Sequence, residues 1–261
     1  MAPIYADHPF PLTESPLAKL KREDPNAKPD IFTLAASEMA IAHNLMTRIL
    51  NTIYLQAPHI SSTPPSDAIS FSRYILSWCT ILRLHHNAEE ASLFPYIEAT
   101  AGVAGLMDAN VAQHEAFHEG LDKFTAYAQG VADRKERYDG GKVVEMIDGF
   151  GPALASHLAD EIPSLEGLRG YGDEERFAAL GGQLADMGQH GQREISLVGL
   201  VVFFSNIDTH YEDDLWINWP PAPEVVKFAC RHVFWWLYAD IAKFGSVDRH
   251  GNLKPLLYAA A

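Results

Sequence analysis

The stretch His85-His-Asn-Ala-Glu-Glu-Ala-Ser-Leu-Phe-Pro95 sets two histidines and two glutamates within six residues, just ahead of an apolar run. How the chain folds turns on which of these side chains face inward. Upstream, Phe71, Ile75, Trp78 and Leu82 recur at helical spacing. Continued, that stripe reaches His85 and then Glu89, which share a face because residues four apart lie one turn apart, about 6 Å along the axis. In this register His86 and Glu90 fall with Arg83 on a polar flank. The stretch reads as half interior and half surface. Pro95 lies inside the helical run, so a kink is expected near Ser92.

Working outward, the same pattern recurs. A first helix is expected over 31–56, striped by Phe32, Ala36, Met39, Met46, Leu50 and Ile53, with His43 between the two methionines. Pro58 and the segment Ser-Ser-Thr-Pro-Pro-Ser-Asp break it, and Ser66 or Asp67 would cap the second helix, 67–100. A third, over 105–130, carries Val111, His114, His118 and Leu121 on one face. A fourth, over 142–168, carries Phe150, Leu154, His157 and Glu161. Three successive helices thus each present a pair of inward ligand-type side chains, and the first presents one. Their depths agree: His43 is about 13 residues before its helix ends and His85 about 18 after the next begins. Antiparallel packing at ~1.5 Å per residue brings them within about two turns.

Five imidazoles and two carboxylates in a bundle core are costly unless paired or bound to metal. Two explanations fit: a buried network of His–Glu hydrogen bonds, or a pair of borderline metal ions with bridging carboxylates. Seven ligands exceed the needs of one tetrahedral zinc.

The remaining sequence bounds the setting. The chain has 261 residues and a formal charge of −14, which repels phosphate backbones and anionic membrane surfaces and argues against nucleic acid as a partner. Its only two cysteines, Cys79 and Cys230, make no disulfide framework, so a reducing, cytoplasmic location is expected. No signal-peptide pattern opens the sequence, and no apolar run is long enough to span a bilayer. Nothing reads as a strand series. The expected fold is all-α: an irregular proline-rich arm (1–30), an up-down four-helix bundle (31–170) and a helical C-terminal extension (171–261), with helices over 173–187, 194–211 and 223–244.

The ordered set His43, His85 with Glu89 before Leu-Phe-Pro, Gln-His-Glu-Ala-Phe-His at His114 and His118, and His-Leu-Ala-Asp-Glu at His157 and Glu161 resembles the hemerythrin-like (HHE cation-binding) family. The resemblance covers residues 31–170 and implies two non-haem irons inside the bundle. It places His114, His118 and His157 on one iron and His43 and His85 on the other, with Glu89 and Glu161 bridging. An open position on one iron would take dioxygen or a similar small ligand. His157 and Glu161 are four apart, as in bacterial iron-centre-repair proteins, whereas oxygen-carrying hemerythrins end with His and Asp five apart.

The extension holds Trp216, Trp219, Trp235 and Trp236 among other aromatics such as Phe203 and Phe204. They read as a packing layer over the bundle or as the walls of a substrate pocket. His210, Glu212 and Asp214 read as a solvated loop. The expected function is therefore a di-iron protein that binds and activates dioxygen, an oxidoreductase acting on a small organic substrate. The alternative is reversible dioxygen or nitric oxide binding, or iron storage or sensing, without turnover. A ligand-sized apolar cavity opening onto the metal site would separate the two.

Overall fold

The computed structural model describes residues 3–60 and 64–259, Gln192 by its backbone alone; Ser61–Thr63, part of the expected break after the first bundle helix, lie outside them. The first element is α1 (Pro16–Glu23), a short helix within the arm that composition suggested was irregular. Its signal is the Ser15–Pro16 pair. Ser15 Oγ accepts from the Ala18 amide at 3.1 Å, and proline fits the first turn because its missing N–H would have no helical partner there.

The bundle consists of α2 (Ile31–Ile60), α3 (Pro65–Ala88), α5 (Asp108–Ala132) and α6 (Gly140–Glu166), with a short α4 (Phe94–Ala101) between α3 and α5. Pro58 does not end α2, which runs on through it to Ile60, since a proline in the last turn forfeits one helical hydrogen bond without stopping the chain. Neither Ser66 nor Asp67 caps α3. Pro64 occupies the cap position, and Asp67 instead accepts from Lys243 Nζ and Tyr258 Oη in the C-terminal extension. Packing is antiparallel around the ring α2–α3–α5–α6. His43 meets His85 while Met46 carbonyl accepts from Trp78 Nε1, so α3 retreats as α2 advances. The ring pairs Trp78–Phe124 and His86–His114 run the same way between α3 and α5.

The kink expected near Ser92 takes the form of a π-helical turn, Glu89–Leu93, between α3 and α4. Pro95 has no N–H to donate and its ring crowds the carbonyl four residues back; a widened turn just before it relieves that conflict without ending the helix. Glu89 is the first residue of this turn.

Two apolar clusters fill the bundle. One gathers Ile49, Ile53, Trp78, Phe124 and Phe150, and the other Phe32, Met39, Ile97, Leu165 and Phe177. The polar side chains of the expected site lie between them.

Beyond the bundle, α7 (Leu180–Glu194) packs on α2 and α3, and α8 (Leu197–Phe204) packs on α3. The helices differ in extent from the periodicity. α7 starts later and runs on through Gly188 and Gly191; α8 is shorter, capped by Ser196 Oγ on the Gly199 amide. The single final helix is divided into α9 (Glu224–Ala229), a π turn over Cys230–Phe234, α10 (Trp235–Leu237) and α11 (Ala239–Ala242). Among the described residues there is no strand, only an isolated bridge between Val247 and Leu253, and no helix is long and apolar enough to cross a membrane.

Candidate metal centre

Seven ligand-type side chains converge at one level of the bundle: His43 from α2, His85 and His86 from α3, Glu89 from the π turn, His114 from α5, and His157 and Glu161 from α6. They form two groups. His43, His85 and Glu89 make one; His86, His114, His157 and Glu89 make the other. Glu89 belongs to both, with Oε1 lying 2.8 Å from His85 Nε2 and Oε2 3.5 Å from His114 Nε2. Glu161 Oε2 lies 3.5 Å from His43 Nε2 and 3.8 Å from His157 Nε2, so it too stands between the groups.

The structure therefore brings together six of the seven residues singled out from spacing and exchanges one. His118 is exposed and outside both groups, and His86 is buried within them. The reason is register. The buried face of α5 runs Asn110, His114, Phe117, Leu121, Phe124, Ala128, Val131, alternating steps of four and three. Phe117, not His118, follows His114 inward. On α3, Leu82 is followed inward at four residues by His86, while His85 at three sits beside it, because a helix with neighbours on two sides buries a face wide enough for both. The bulk of Phe117 at the three-residue step was the legible signal for the first shift; His86 four after Leu82 was the signal for the second.

Hydrogen bonds outside the cluster fix the ring tautomers. His43 donates from Nδ1 to the Leu158 carbonyl at 2.7 Å, and His114 donates from Nδ1 to Glu90 Oε1 at 2.6 Å. His157 Nδ1 faces Gln113 Oε1 at 3.3 Å, and the Gln113 amide donates in turn to Asp160 Oδ2. Each ring thus carries its proton on Nδ1 and turns an Nε2 lone pair inward. Glu90, expected on a polar flank, sits half out in solvent and orients a cluster histidine.

The inward atoms are only partly satisfied by one another. A His85 Nε2–H can donate to His43 Nε2 at 2.9 Å, whereas His114 Nε2 stands 3.0 Å from His157 Nε2. With both Nδ1 atoms donating elsewhere, the second pair opposes two lone pairs. His86 Nε2 and all four oxygens of Glu89 and Glu161 are buried with no aligned hydrogen-bond partner among the described residues. Protonation does not resolve this, because burial and neighbouring imidazoles push His157 down to about 2 and hold His86 well below its usual range; burial also lowers His114. Burial raises the Glu89 carboxyl, but the adjacent His85 and His43 outweigh it and hold Glu89 well below the ordinary range. Burial and the charge of Glu89 push Glu161 well above it.

A cation removes these conflicts together. Two nitrogens each ~2.1 Å from an ion and at right angles about it lie about 3.0 Å apart, which is the separation found in both pairs. The hydrogen-bonded network, the other reading of the sequence, leaves these atoms unpaired. Two nitrogen-rich groups sharing a carboxylate suit a pair of borderline metal ions.

Residues 35–162 match the Hemerythrin HHE cation binding domain. The bundle is a hemerythrin domain. The whole chain is also similar to the dimeric xanthone biosynthesis cluster protein R11 of Cryptosporiopsis sp. (strain 8999), 29% identical over 255 residues, covering 96% of this chain and 91% of that one. No solved structure matches the chain. The likeness to the xanthone-cluster protein runs well beyond the hemerythrin domain into the C-terminal extension.

That extension forms a cavity of about 140 Å³ against the bundle. Its walls come from α2, α3, α7 and the segment around Phe203 and Trp219, and His85 lies in its lining. The other six cluster side chains are sealed at 2% exposure or less, whereas the His85 side chain keeps 10%. Of the aromatics singled out in the extension, Trp219 and Phe203 line this cavity. Phe204 is buried elsewhere, Trp235 is not in the lining, and Trp236 is 65% exposed.

Proposed function

We propose that this protein is a non-haem di-iron oxidoreductase that uses dioxygen to oxidise a small organic substrate held in the cavity beside His85. The observation that carries this reading is the cavity itself: an apolar space, formed by the extension, in contact with the least sealed member of the cluster. A carrier or sensor of dioxygen or nitric oxide has no need of such a space. The related protein's name, which places it in a biosynthesis cluster, supports the same direction.

We assign His86, His114 and His157 to one iron, His43 and His85 to the other, and Glu89 and Glu161 between them. When bound, the two irons supply the electrons that activate dioxygen. The protein's own part is orientation and exclusion. Glu90, Gln113 and the Leu158 carbonyl hold three imidazoles with their lone pairs inward. The apolar clusters above and below keep water from the site. The cavity would set the substrate beside His85, one of the residues that would hold the second iron, where fixed walls matter because a misplacement of ~1 Å can cost a hundredfold in rate. A cytoplasmic, reducing location accords with the two free, buried cysteines.

The test is dioxygen uptake by reduced, iron-loaded protein. An oxidoreductase consumes dioxygen in proportion to organic substrate turned over. Reversible binding, with dioxygen recovered under vacuum and none consumed with any aromatic or aliphatic candidate, would defeat this reading.

A further inference from the structure

The cavity lining also states what kind of molecule fits. Its volume of about 140 Å³ is close to the ~150 Å³ engineered cavity that takes up one benzene molecule. It is not a closed void, so a larger molecule can lodge one ring and leave the rest outside. Three methionines, Met39, Met46 and Met187, face it from both sides. Thioether sulfur makes favourable contacts with aromatic rings, and unbranched methionine adapts to their flat shape. Trp219 lies in the wall, its ring 5.7 Å from that of Phe203 and inclined by 26°.

The gap is built partly by what α7 omits. Gly188 and Gly191, three residues apart, line the cavity, and a Cβ added to either meets nothing within 4 Å. Glycine weakens a helix by about 1 kcal/mol relative to alanine, yet this helix carries the pair at two positions of the lining, where a large side chain has room to reach over the cavity.

One acidic group interrupts the apolar lining. Glu38, on α2, lines the cavity. It is exposed by area, but the surrounding protein still raises its carboxyl above the usual range through burial. No cation lies in the lining to pair with it.

We propose that the cavity binds a hydroxylated aromatic ring, its face against the methionines and Trp219 and its hydroxyl donating to the Glu38 carboxylate. A neutral hydroxyl needs only the one acceptor that this apolar wall offers, whereas an ammonium carries three donors and would leave two of them unpaired there. The proposal rests on the oxidoreductase reading for the consequence of binding, but binding can be tested without turnover.

Iron-loaded full-length protein is titrated calorimetrically with 4-methylphenol, toluene and 4-methylbenzylamine, and iron content is measured on every sample. 4-Methylphenol is expected to bind about tenfold or more tightly than toluene, the value of one hydrogen bond to a charged acceptor. Glu38→Leu should erase that preference while keeping toluene binding. Gly188→Leu and Gly191→Leu should weaken both ligands at least tenfold, with iron content unchanged in all three variants. An undiminished phenol preference in Glu38→Leu overturns the proposal, as does normal binding in both glycine variants or tighter binding of the amine. Phenol binding with this mutational pattern but no substrate-dependent dioxygen uptake would uphold the cavity's ligand class and defeat the oxidoreductase reading instead.

Discussion

His114 and His157 face each other through their Nε2 atoms at 3.0 Å, and each is held in that attitude from behind, His114 by Glu90 and His157 by Gln113. Two acceptors on the far side of the rings leave two lone pairs on the near side. The bundle is thus arranged for an ion that the sequence alone could only suggest.

Removal of metal should destabilise the fold. A metal that binds only the folded bundle at a hundred times its Kd contributes about 2.7 kcal/mol. For a chain of this size that is a fall in melting temperature of roughly 5–10 °C on chelation. Thermal melts with and without chelator measure it; curves that coincide would return the hydrogen-bonded network to favour.

The exchange of His86 for His118 gives a direct contrast. His86→Ala should lose at least one metal per chain, because it empties a buried place in the cluster. His118→Ala should keep full metal content, because that ring is exposed. Spacing alone leads to the opposite expectation. Elemental analysis of the two variants decides between them.

Glu90 should tune affinity without being a ligand. Its replacement by Ala frees the His114 ring to change tautomer or turn, and loss of such an orienting partner typically costs 10–100-fold in metal affinity. Competition with a chromophoric chelator reads the change, and an unaltered affinity would show that the bundle holds His114 without help.

Acid should destabilise the metal-free protein early. His157, His86 and His114 have folded-state values lowered from the ordinary 6.5, so below about pH 6.5 the unfolded chain binds protons that the folded chain refuses. Their contribution is present above that pH and is lost as pH falls through their folded values, which for His157 extends to about 2. Glu161 acts in the other sense, since its raised value makes stability fall as pH rises above 4.5. Three histidines outnumber one carboxyl, so between pH 6.5 and 4.5 stability should decline with acid, at about 1.4 kcal/mol per pH unit for each net proton. Urea midpoints of chelated protein across that range provide the check; a flat profile would contradict the burial of these rings as neutral groups.

Substitutions in the aromatic extension should sort by the cavity. Trp219→Leu removes a wall and should weaken ligand binding severalfold, whereas Trp236→Leu, on a 65% exposed side chain, should leave binding and metal content unchanged. Equal effects would mean that the extension acts as a packing layer only.

The sequence by itself determined the all-helical fold, the level of the site and six of its seven converging side chains, because a helix repeats every 3.6 residues and polar groups inside an apolar stripe stand out. Pro95 likewise announced a break in helical regularity beside Glu89. Tertiary structure decided what periodicity leaves open. At His85–His86 and at Phe117–His118, adjacent residues lie about 100° apart on the helix, and only the neighbouring helices fix how wide an arc is buried and where it is centred. On α3 that arc took in both histidines; on α5 it took Phe117 and left His118 outside. The orienting role of Glu90 and the cavity at Glu38, Gly188 and Trp219 were also invisible in sequence, since they join residues from separate helices and loops. Such contacts depend on how packed elements meet, and no local pattern along the chain records that.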